Sequence, residues 1–283
     1  MRYALLTLIL ATTPALAQQD VVMKTQNVSG PVHMIEGNGG NIGASSGEDG
    51  LLIIDTQFAN MAGKITDELA KLNKGPLKFI VNTHFHGDHT GGNQALAQNT
   101  PVVAHANVRT RMIGSRELTE AEFRNSLPTI TYTSPTSLYI NGETIELIPL
   151  GPGHTDGDTL VHFTKSNVYH TGDQFTNGMF PFIDLAGGGD VQGYLNNVVK
   201  MLEIIPADAK IIPGHGPLAT RKDLETFQAT LLDTIGIIRK GIADGKDQEA
   251  LQKDGLPAKY DSWGKNFVGN QRWISIVYQS YTR

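Results

Sequence analysis

The sequence contains no cysteine, so neither disulfide bonds nor thiolate ligands are possible. An oxidising compartment is therefore tolerated, and any bound metal must be held by nitrogen and oxygen atoms. Long apolar runs are also scarce. The apolar stretch at residues 4–11 is too short and too weakly flanked to span a bilayer. We expect no stable membrane anchor.

Clusters of basic residues are scarce as well. The chain has 23 Lys and Arg against 28 Asp and Glu, a net charge of -5, and no block of basic residues. A nucleic-acid surface needs basic side chains to neutralise phosphates, so we expect no nucleic-acid partner.

No internal repeat or low-complexity linker divides the chain. We expect a monomer that acts on a small molecule.

The N-terminus has the pattern of a signal peptide. Arg2 supplies a positive charge, residues 4–11 are apolar, and residues 15–17 read Ala-Leu-Ala, a small-x-small cleavage site. We expect residues 1–17 to be cleaved and residues 18–283 to form one exported domain. The expected location is the bacterial periplasm.

The rest of the chain alternates short apolar runs with helical patterns. Apolar residues recur at about 3.6 positions from Phe58 to Leu72, and further helices are predicted at residues 192–202 and 221–241. This alternation predicts an α/β layered domain. Residues 107–137 are predicted to be a surface excursion and residues 245–283 a C-terminal lid. The predicted strands are residues 51–54, 79–81, 102–103, 144–148, 160–163 and 210–212.

The strongest chemical signal follows the predicted strand at residues 79–81. Three histidines and one aspartate lie within six residues there: His84, His86, Asp88 and His89. Imidazole and carboxylate are the ligands that zinc accepts when thiolate is absent. A solvent-exposed, histidine-rich loop is the alternative interpretation of this segment alone.

Other acidic or histidine residues occupy equivalent places, each just beyond an apolar run. They are Asp55, His154, Asp173 and His215. Loops that follow the strands of a layered α/β fold can converge at one edge of the sheet. The pattern therefore predicts one metal site at that edge. Four histidines lie outside it and are expected to pack or to lie on the surface: His33, His105, His162 and His170.

This ordered set of residues resembles the five motifs of the metallo-β-lactamase superfamily, over residues 50–216. The resemblance implies a four-layer αββα sandwich, formed by a single domain, with two zinc ions at one edge. It implies that His84, His86 and His154 hold the first zinc, that Asp88, His89 and His215 hold the second, and that Asp173 bridges them. Asp55 would support the ligands without binding metal.

The two-metal arrangement implies hydrolysis. Zinc lowers the pKa of bound water toward neutrality, and a hydroxide held between two zincs can attack a carbonyl. Asp88 is the candidate catalytic residue that orients this water and moves a proton to the leaving group. That catalytic role is implied by the resemblance.

The substrate is less constrained than the metal site. Many zinc β-lactamases carry a cysteine where Asp173 stands and a lysine three residues further on, where this chain has Thr176. The aspartate pattern is similar to glyoxalase II and to generalist hydrolases. The leader peptide argues against glyoxalase II itself, because its thioester substrate is cytosolic.

We favour a β-lactamase-like enzyme of antibiotic resistance, because export suits it and residues 37–40 are a Gly-rich hairpin candidate over the site. The first alternative is an exported lactonase or esterase, or a glyoxalase II-like thioester hydrolase, with little β-lactam activity. The second is a catalytically inactive metal-binding protein. That second alternative predicts a missing ligand, whereas all seven ligand positions are filled.

Overall fold

The computed structural model describes residues 21–115 and 125–283. Its first sheet has seven strands in sequence order, with antiparallel neighbours from β1 to β4 and parallel neighbours from β4 to β7. The strands are β1 (Lys24–Ser29), β2 (Val32–Glu36), β3 (Ile42–Gly47), β4 (Gly50–Ile54), β5 (Leu77–Asn82), β6 (Val102–His105) and β7 (Ile130–Tyr132).

The second sheet has six strands in the order β13-β12-β11-β10-β9-β8. All its neighbours are antiparallel except β11 and β12, which are parallel. The strands are β8 (Thr136–Ile140), β9 (Glu143–Pro149), β10 (Thr159–Phe163), β11 (Val168–His170), β12 (Lys210–Ile212) and β13 (Ala219–Thr220).

Helices flank the two sheets. Short 3₁₀ turns at Ala59–Met61, Gly172–Gln174, Ala258–Tyr260 and Trp263–Lys265 complete the regular structure. The helices are α1 (Ala62–Leu72), α2 (Gly87–Thr90), α3 (Asn93–Leu96), α4 (Ala106–Ser115), α5 (Val191–Ile204), α6 (Arg221–Ala243), α7 (Gln248–Asp254) and α8 (Asn270–Thr282).

Three apolar layers hold these elements together. Leu52 of β4 and Phe163 of β10 are buried in the layer between the sheets. Ile65 of α1 packs in a second layer on the outer face of the first sheet, and Val198 of α5 packs in a third on the second sheet. Burial of such apolar surface is the main favourable term in folding. The predicted four-layer αββα sandwich is confirmed.

Two predicted segments were wrong in part. Residues 106–115 form helix α4, in which Val108 and Met112 are buried, so this part of the predicted surface excursion packs against the first sheet. The C-terminal tail is not a lid over its whole length. Helix α8 buries Trp273 and Val277 against α6.

Phe58 was predicted to lie on the buried face of a helix. Instead it precedes α1 and is 42% exposed.

No helix in residues 21–115 and 125–283 is long and apolar enough to cross a membrane. The predicted signal peptide, residues 1–17, lies outside the described residues.

Candidate metal centre

The loops after four strands meet at one edge of the sandwich. The first sheet supplies the loop after β5 and helix α2, and the second supplies the loops after β9, β11 and β12. All seven predicted metal ligands lie together here. Three groups of ligand atoms, each within 4.8 Å of one another, could hold a metal ion: His84, His86 and His154; His84, His89 and Asp173; and Asp88, His89 and His215.

The first group consists of three imidazole rings. The rings of His84 and His154 are 4.6 Å apart, and Nε2 of His154 lies 2.9 Å from Nδ1 of His86. Nε2 of His84 is buried and has no hydrogen-bond partner, while its Nδ1 lies 3.0 Å from Oγ1 of Thr83. These nitrogens face one point.

Acceptors behind the first group fix which nitrogen faces that point. His86 lies with Nε2 3.0 Å from a carboxylate oxygen of Asp184, and His154 with Nδ1 2.6 Å from the carbonyl oxygen of Phe182. Because a carboxylate and a carbonyl only accept, we assign the ring hydrogens to these nitrogens. Nδ1 of His86 and Nε2 of His154 then keep lone pairs for a metal.

The second ligand group, Asp88, His89 and His215, mixes imidazole and carboxylate, and Asp173 lies beside it. Nε2 of His215 lies 3.3 Å from Asp88 and 3.4 Å from Oδ2 of Asp173. Nε2 of His89 lies 3.1 Å from Oδ1 of Asp173, in a geometry that leaves this buried oxygen without a hydrogen bond. Oδ2 of Asp173 also lies 3.6 Å from Nε2 of His154. Asp173 therefore stands between the two groups.

Asp55 supports the second group through its contact with His89. Its carboxylate accepts hydrogen bonds from the backbone and hydroxyl of Thr83 and lies 2.7 Å from Nδ1 of His89. The residue is fully buried with a φ of 66°. This left-handed conformation is uncommon outside glycine and turns the chain directly at the end of β4. The same carboxylate thus positions the ligands His84, through Thr83, and His89.

Electrostatics differ between the two groups. Burial lowers the pKa of His84 well below its usual value and that of His154 to about 4, so both are neutral at physiological pH. Burial also acts to lower the pKa of His215, but the carboxylates of Asp173 and Asp88 together outweigh it and raise that pKa to about 9. Burial opposes ionisation of Asp173, yet the surrounding histidines hold its pKa well below the usual range.

The donor set fits a divalent metal. Two of its buried atoms, Nε2 of His84 and Oδ1 of Asp173, have no hydrogen-bond partner. Buried polar atoms are almost always paired in native proteins, so such atoms facing one point need another partner. Five imidazoles and two carboxylates are ligands that zinc accepts.

Close packing surrounds the ligands. A Cβ at Gly40 would lie 2.1 Å from the ring of His89. The predicted hairpin at residues 37–40 connects β2 to β3, and Gly40 donates from its backbone nitrogen to the carbonyl of Asp88 at 3.0 Å. Asn38 and Gly39, at its tip, line a cavity in front of the ligands.

That cavity has a volume of about 550 Å³. Its inner end is formed by ligands, among them His86, Asp88, Asp173 and His215. Apart from Thr176, the sequence did not single out the other side chains of the cavity as site residues, because they come from separate loops without a shared motif. They are Phe58, Thr176, Met179, Phe180, Phe182, Phe267 and Val268.

Comparison with known proteins agrees with this geometry. The sequence profile of the metallo-beta-lactamase superfamily matches residues 36–215, which include every ligand position. The chain belongs to this superfamily. The superfamily is one of metallo-hydrolases, and the histidines and aspartates of this chain form groups that could hold a metal ion.

Individual members of the superfamily share parts of the chain. A hydroxyacylglutathione hydrolase of Nitrosococcus oceani is 31% identical over 150 residues, which cover 52% of this chain and 51% of that protein. A hydroxyacylglutathione hydrolase of Polaromonas sp. is 28% identical over 143 residues, 48% of this chain and 47% of that protein. The chain thus spans about half the length of these relatives.

Two solved structures share the fold. A metallo-beta-lactamase from Pontibacter korlensis superimposes with a TM-score of 0.63 at 20% identity, covering 74% of this chain and 99% of that one. The inverting sec-alkylsulfatase Pisa1 from Pseudomonas sp. gives a TM-score of 0.73 at 16% identity, covering 92% of this chain and 50% of that one.

The structure also shows what the motifs of the superfamily missed. Asp184, which holds His86, was not predicted, although the glycines at 187–189 mark its loop as a turn.

Among the described residues, none of the four histidines outside the motifs belongs to a group that could hold a metal ion. His162 stacks on Tyr169 at 4.0 Å, and His170 is buried with Nε2 2.9 Å from the carbonyl of Asn41.

Proposed function

We propose that the protein is a dinuclear zinc hydrolase of a small molecule with a hydrolysable carbonyl group. The observation that carries the proposal is the convergence of seven ligand side chains, two of whose buried atoms lack a partner. In this proposal His84, His86 and His154 would hold one zinc, Asp88, His89 and His215 would hold the other, and Asp173 would serve as a ligand to both.

Bound zinc would supply a Lewis acid and activate water at neutral pH. Asp88 is proposed as the catalytic residue. Its carboxylate lines the cavity and lies 3.3 Å from Nε2 of His215, whose hydrogen bond lowers the pKa of Asp88 against the effect of burial. An ionised carboxylate at this position can accept a proton and pass it to the leaving group.

Two substrate classes remain in the proposal, each favoured by one observation. The hairpin tip, Asn38 and Gly39, lines the cavity, which favours the β-lactamase-like enzyme. The position of the lysine in many zinc β-lactamases is occupied by Thr176, which donates to the carbonyl of Met179. This second observation favours a lactone or ester over a β-lactam, which carries a carboxylate.

The test is a joint measurement of metal content and turnover. The protein from residue 18 onward is loaded with zinc and assayed with a chromogenic cephalosporin, a lactone, an ester and a thioester, beside a chelator-treated sample. Chelator-sensitive hydrolysis with about two zincs per chain supports the proposal. Bound zinc without turnover of any substrate favours the inactive metal-binding protein, and no bound metal contradicts the site.

Asp88→Asn tests the proposed catalytic role of a residue that is also a proposed metal ligand. Loss of the proton acceptor is expected to lower kcat by about 10²-fold to 10⁴-fold, the usual contribution of general acid–base catalysis. Metal analysis of the same sample shows whether the second zinc is retained. Full activity with full metal content would remove Asp88 from the mechanism.

We also propose that the protein is exported. The charged, apolar and small-residue pattern of residues 1–17 supports this, and periplasmic release is the expected outcome in a bacterial host. Amino-terminal sequencing of the secreted chain should begin at Gln18. A mature protein that still begins at Met1 would contradict the proposal.

A further inference from the structure

A row of aromatic rings leads from the proposed ligands to the surface. The ring of Phe182 lies 5.9 Å from that of His86 and 6.2 Å from that of His154. The ring of Phe267 lies a further 6.0 Å from Phe182 and is 72% exposed. The row therefore begins at the metal ligands and ends in solvent.

Other apolar side chains widen this row into a wall. We name Met179, Phe180, Phe182, Phe267 and Val268 the aromatic wall. Phe180 is buried and stacks on Trp273 at 5.4 Å, which fixes the wall to helix α8. Phe58 lines the same cavity and is partly exposed.

Such exposure at one place is informative. Single exposed apolar residues are common on soluble proteins, but several at the mouth of one cavity mark a binding surface. Phe58 and Phe267 both lie at this cavity, and both are large and exposed. Their burial by a ligand would be favourable, in proportion to the apolar area removed from water.

The lining of the cavity disfavours an acyl group that carries a negative charge at its far end. Among the described residues that line it, none is lysine or arginine, and its ionisable side chains all belong to the metal centre. A carboxylate on the acyl group would lose water against aromatic rings without gaining a partner. Burial of an unpaired charge is strongly unfavourable.

Arg272 is the one arginine seen against these rings in the described chain, and it does not line the cavity. Its guanidinium carbon lies 4.7 Å from the ring centre of Phe182 and 4.2 Å from that of Phe267. Cations in this position are attracted to the ring faces. Arg272 thus braces the aromatic wall from outside.

From these observations we infer that the cavity binds the uncharged, apolar acyl group of a carboxylic ester or lactone along the aromatic wall. The inference rests on the proposed hydrolase function and names its substrate class. In the reaction, the oxygen of water bonds to the acyl carbon and the bond from that carbon to the leaving oxygen breaks. One proton of water passes to the leaving oxygen, giving an acid and an alcohol.

The first test is a series of p-nitrophenyl esters with acetyl, butyryl and hexanoyl groups, hydrolysed by the zinc-loaded protein. We expect kcat/KM to rise roughly fourfold for each added methylene that is buried. The matched anionic substrate is the p-nitrophenyl half-ester of adipate, with the same number of acyl carbons as hexanoate. It should be hydrolysed at least about tenfold more slowly, because its charge is desolvated.

The second test removes part of the wall. Phe267→Ala should lower kcat/KM for the hexanoate ester more than for the acetate ester, and so flatten the series. Because Phe267 is mostly exposed, its loss should not unfold the protein. Tyr139→Ala is the matched control, since Tyr139 is a 77% exposed aromatic residue on β8 that does not line the cavity. The control should leave the series unchanged.

Binding of amides that resist hydrolysis separates this inference from the proposed function. N-phenylhexanamide should bind more tightly than N-phenylacetamide in calorimetry. If the longer amide binds more tightly but no ester is hydrolysed, the apolar site is supported and the proposed hydrolase function is contradicted. If esters are hydrolysed at rates that do not depend on chain length, and neither amide is preferred, the hydrolase function is supported and the inference is overturned.

Arg272→Gln tests the competing possibility of an anion site. If Arg272 bound a substrate carboxylate, the adipate half-ester would be the better substrate, and the variant would lower its kcat/KM selectively. That outcome overturns the inference. Equal, small losses for the hexanoate and adipate esters are expected if Arg272 only braces the wall.

Discussion

The two ligand groups lie side by side but differ in chemistry. Asp173 stands between them, 3.1 Å from His89 and 3.6 Å from His154, and the two groups consist of separate residues. The first, His84, His86 and His154, is made of nitrogen donors, and burial lowers the pKa of two of them. In the second, the neighbouring carboxylates raise the pKa of His215 to about 9.

This difference gives the two groups separate tasks in the proposed enzyme. Neutral imidazoles are ready to donate lone pairs without first losing a proton, which favours tight and pH-tolerant binding. In the second group a metal must displace protons, and Asp88 faces the cavity. We therefore expect the first group to hold its metal more firmly, and the second to respond more readily to conditions.

Removal of one ligand from each group is expected to have the largest effect. His84→Ala should empty the first position, and His215→Ala the second, with losses in affinity beyond the roughly 100-fold typical of removing a supporting residue. Asp173→Ala should lose the second metal preferentially. Metal analysis after dialysis distinguishes the variants. Two metals per chain in all three would show that the ligand assignment is wrong.

A fall in pH is expected to release metal from the second group first. His215 has a pKa of about 9, so below that pH a proton competes for the nitrogen that binds metal. Apparent affinity should fall about tenfold per pH unit for each proton displaced. His154, with its pKa of about 4, brings no such competition above that pH.

Equilibrium dialysis at pH 9, 7.5 and 6, with a limiting zinc concentration, checks this prediction. The metal content should decrease from two ions toward one. A simultaneous loss of both ions over this range would remove the distinction between the groups.

Replacing a supporting carboxylate with an amide should have an intermediate effect on metal affinity. Asp55→Asn weakens the contact with Nδ1 of His89, and Asp184→Asn weakens that with Nε2 of His86. Asp184→Asn should lower affinity at the first group about 10-fold to 100-fold, and Asp55→Asn should do so at the second group with a smaller loss at the first, because Asp55 also supports His84 through Thr83. Asp233→Asn is the control, because this carboxylate pairs with Lys259 on the surface. Competition with a chromophoric chelator gives the two affinities separately.

The smallest expected effect on metal affinity comes from adding one methyl group at Gly40. Gly40→Ala places a Cβ 2.1 Å from the ring of His89, so the ring must shift. We expect a loss of affinity of several-fold, confined to the second group. Gly63→Ala on α1 is the control, since its Cβ would meet nothing within 4 Å. If the Gly40 variant binds both metals as tightly as the control, the hairpin backbone moves to accept the methyl group and His89 keeps its position.

The sequence singled out the residues that meet at this edge better than it predicted their surroundings, and there is a physical reason. Ligand chemistry restricts residue types, so the cluster from His84 to His89 is recognisable without knowledge of the fold. The predicted strand at residues 210–212 matched β12 in both ends, because a run of apolar residues before a turn is a local signal.

The surroundings depend on contacts between distant segments. Phe58, Phe182 and Phe267 meet at one cavity, yet nothing in their local sequence relates them. Helix α4 was missed because only Val108 and Met112 mark its buried face in a polar segment. The left-handed backbone of Asp55 could not be read from its residue type, since aspartate seldom adopts it.

Each ligand group draws on both sheets. The first combines the loop after β5 with the loop after β9, and the second combines α2 with the loop after β12. A metal ion in either position would therefore close a long loop of chain and join two halves that are distant in sequence. Metal capture would then wait until both sheets have docked, and would lock that docking in place. Such a chain would bind its metal late in folding.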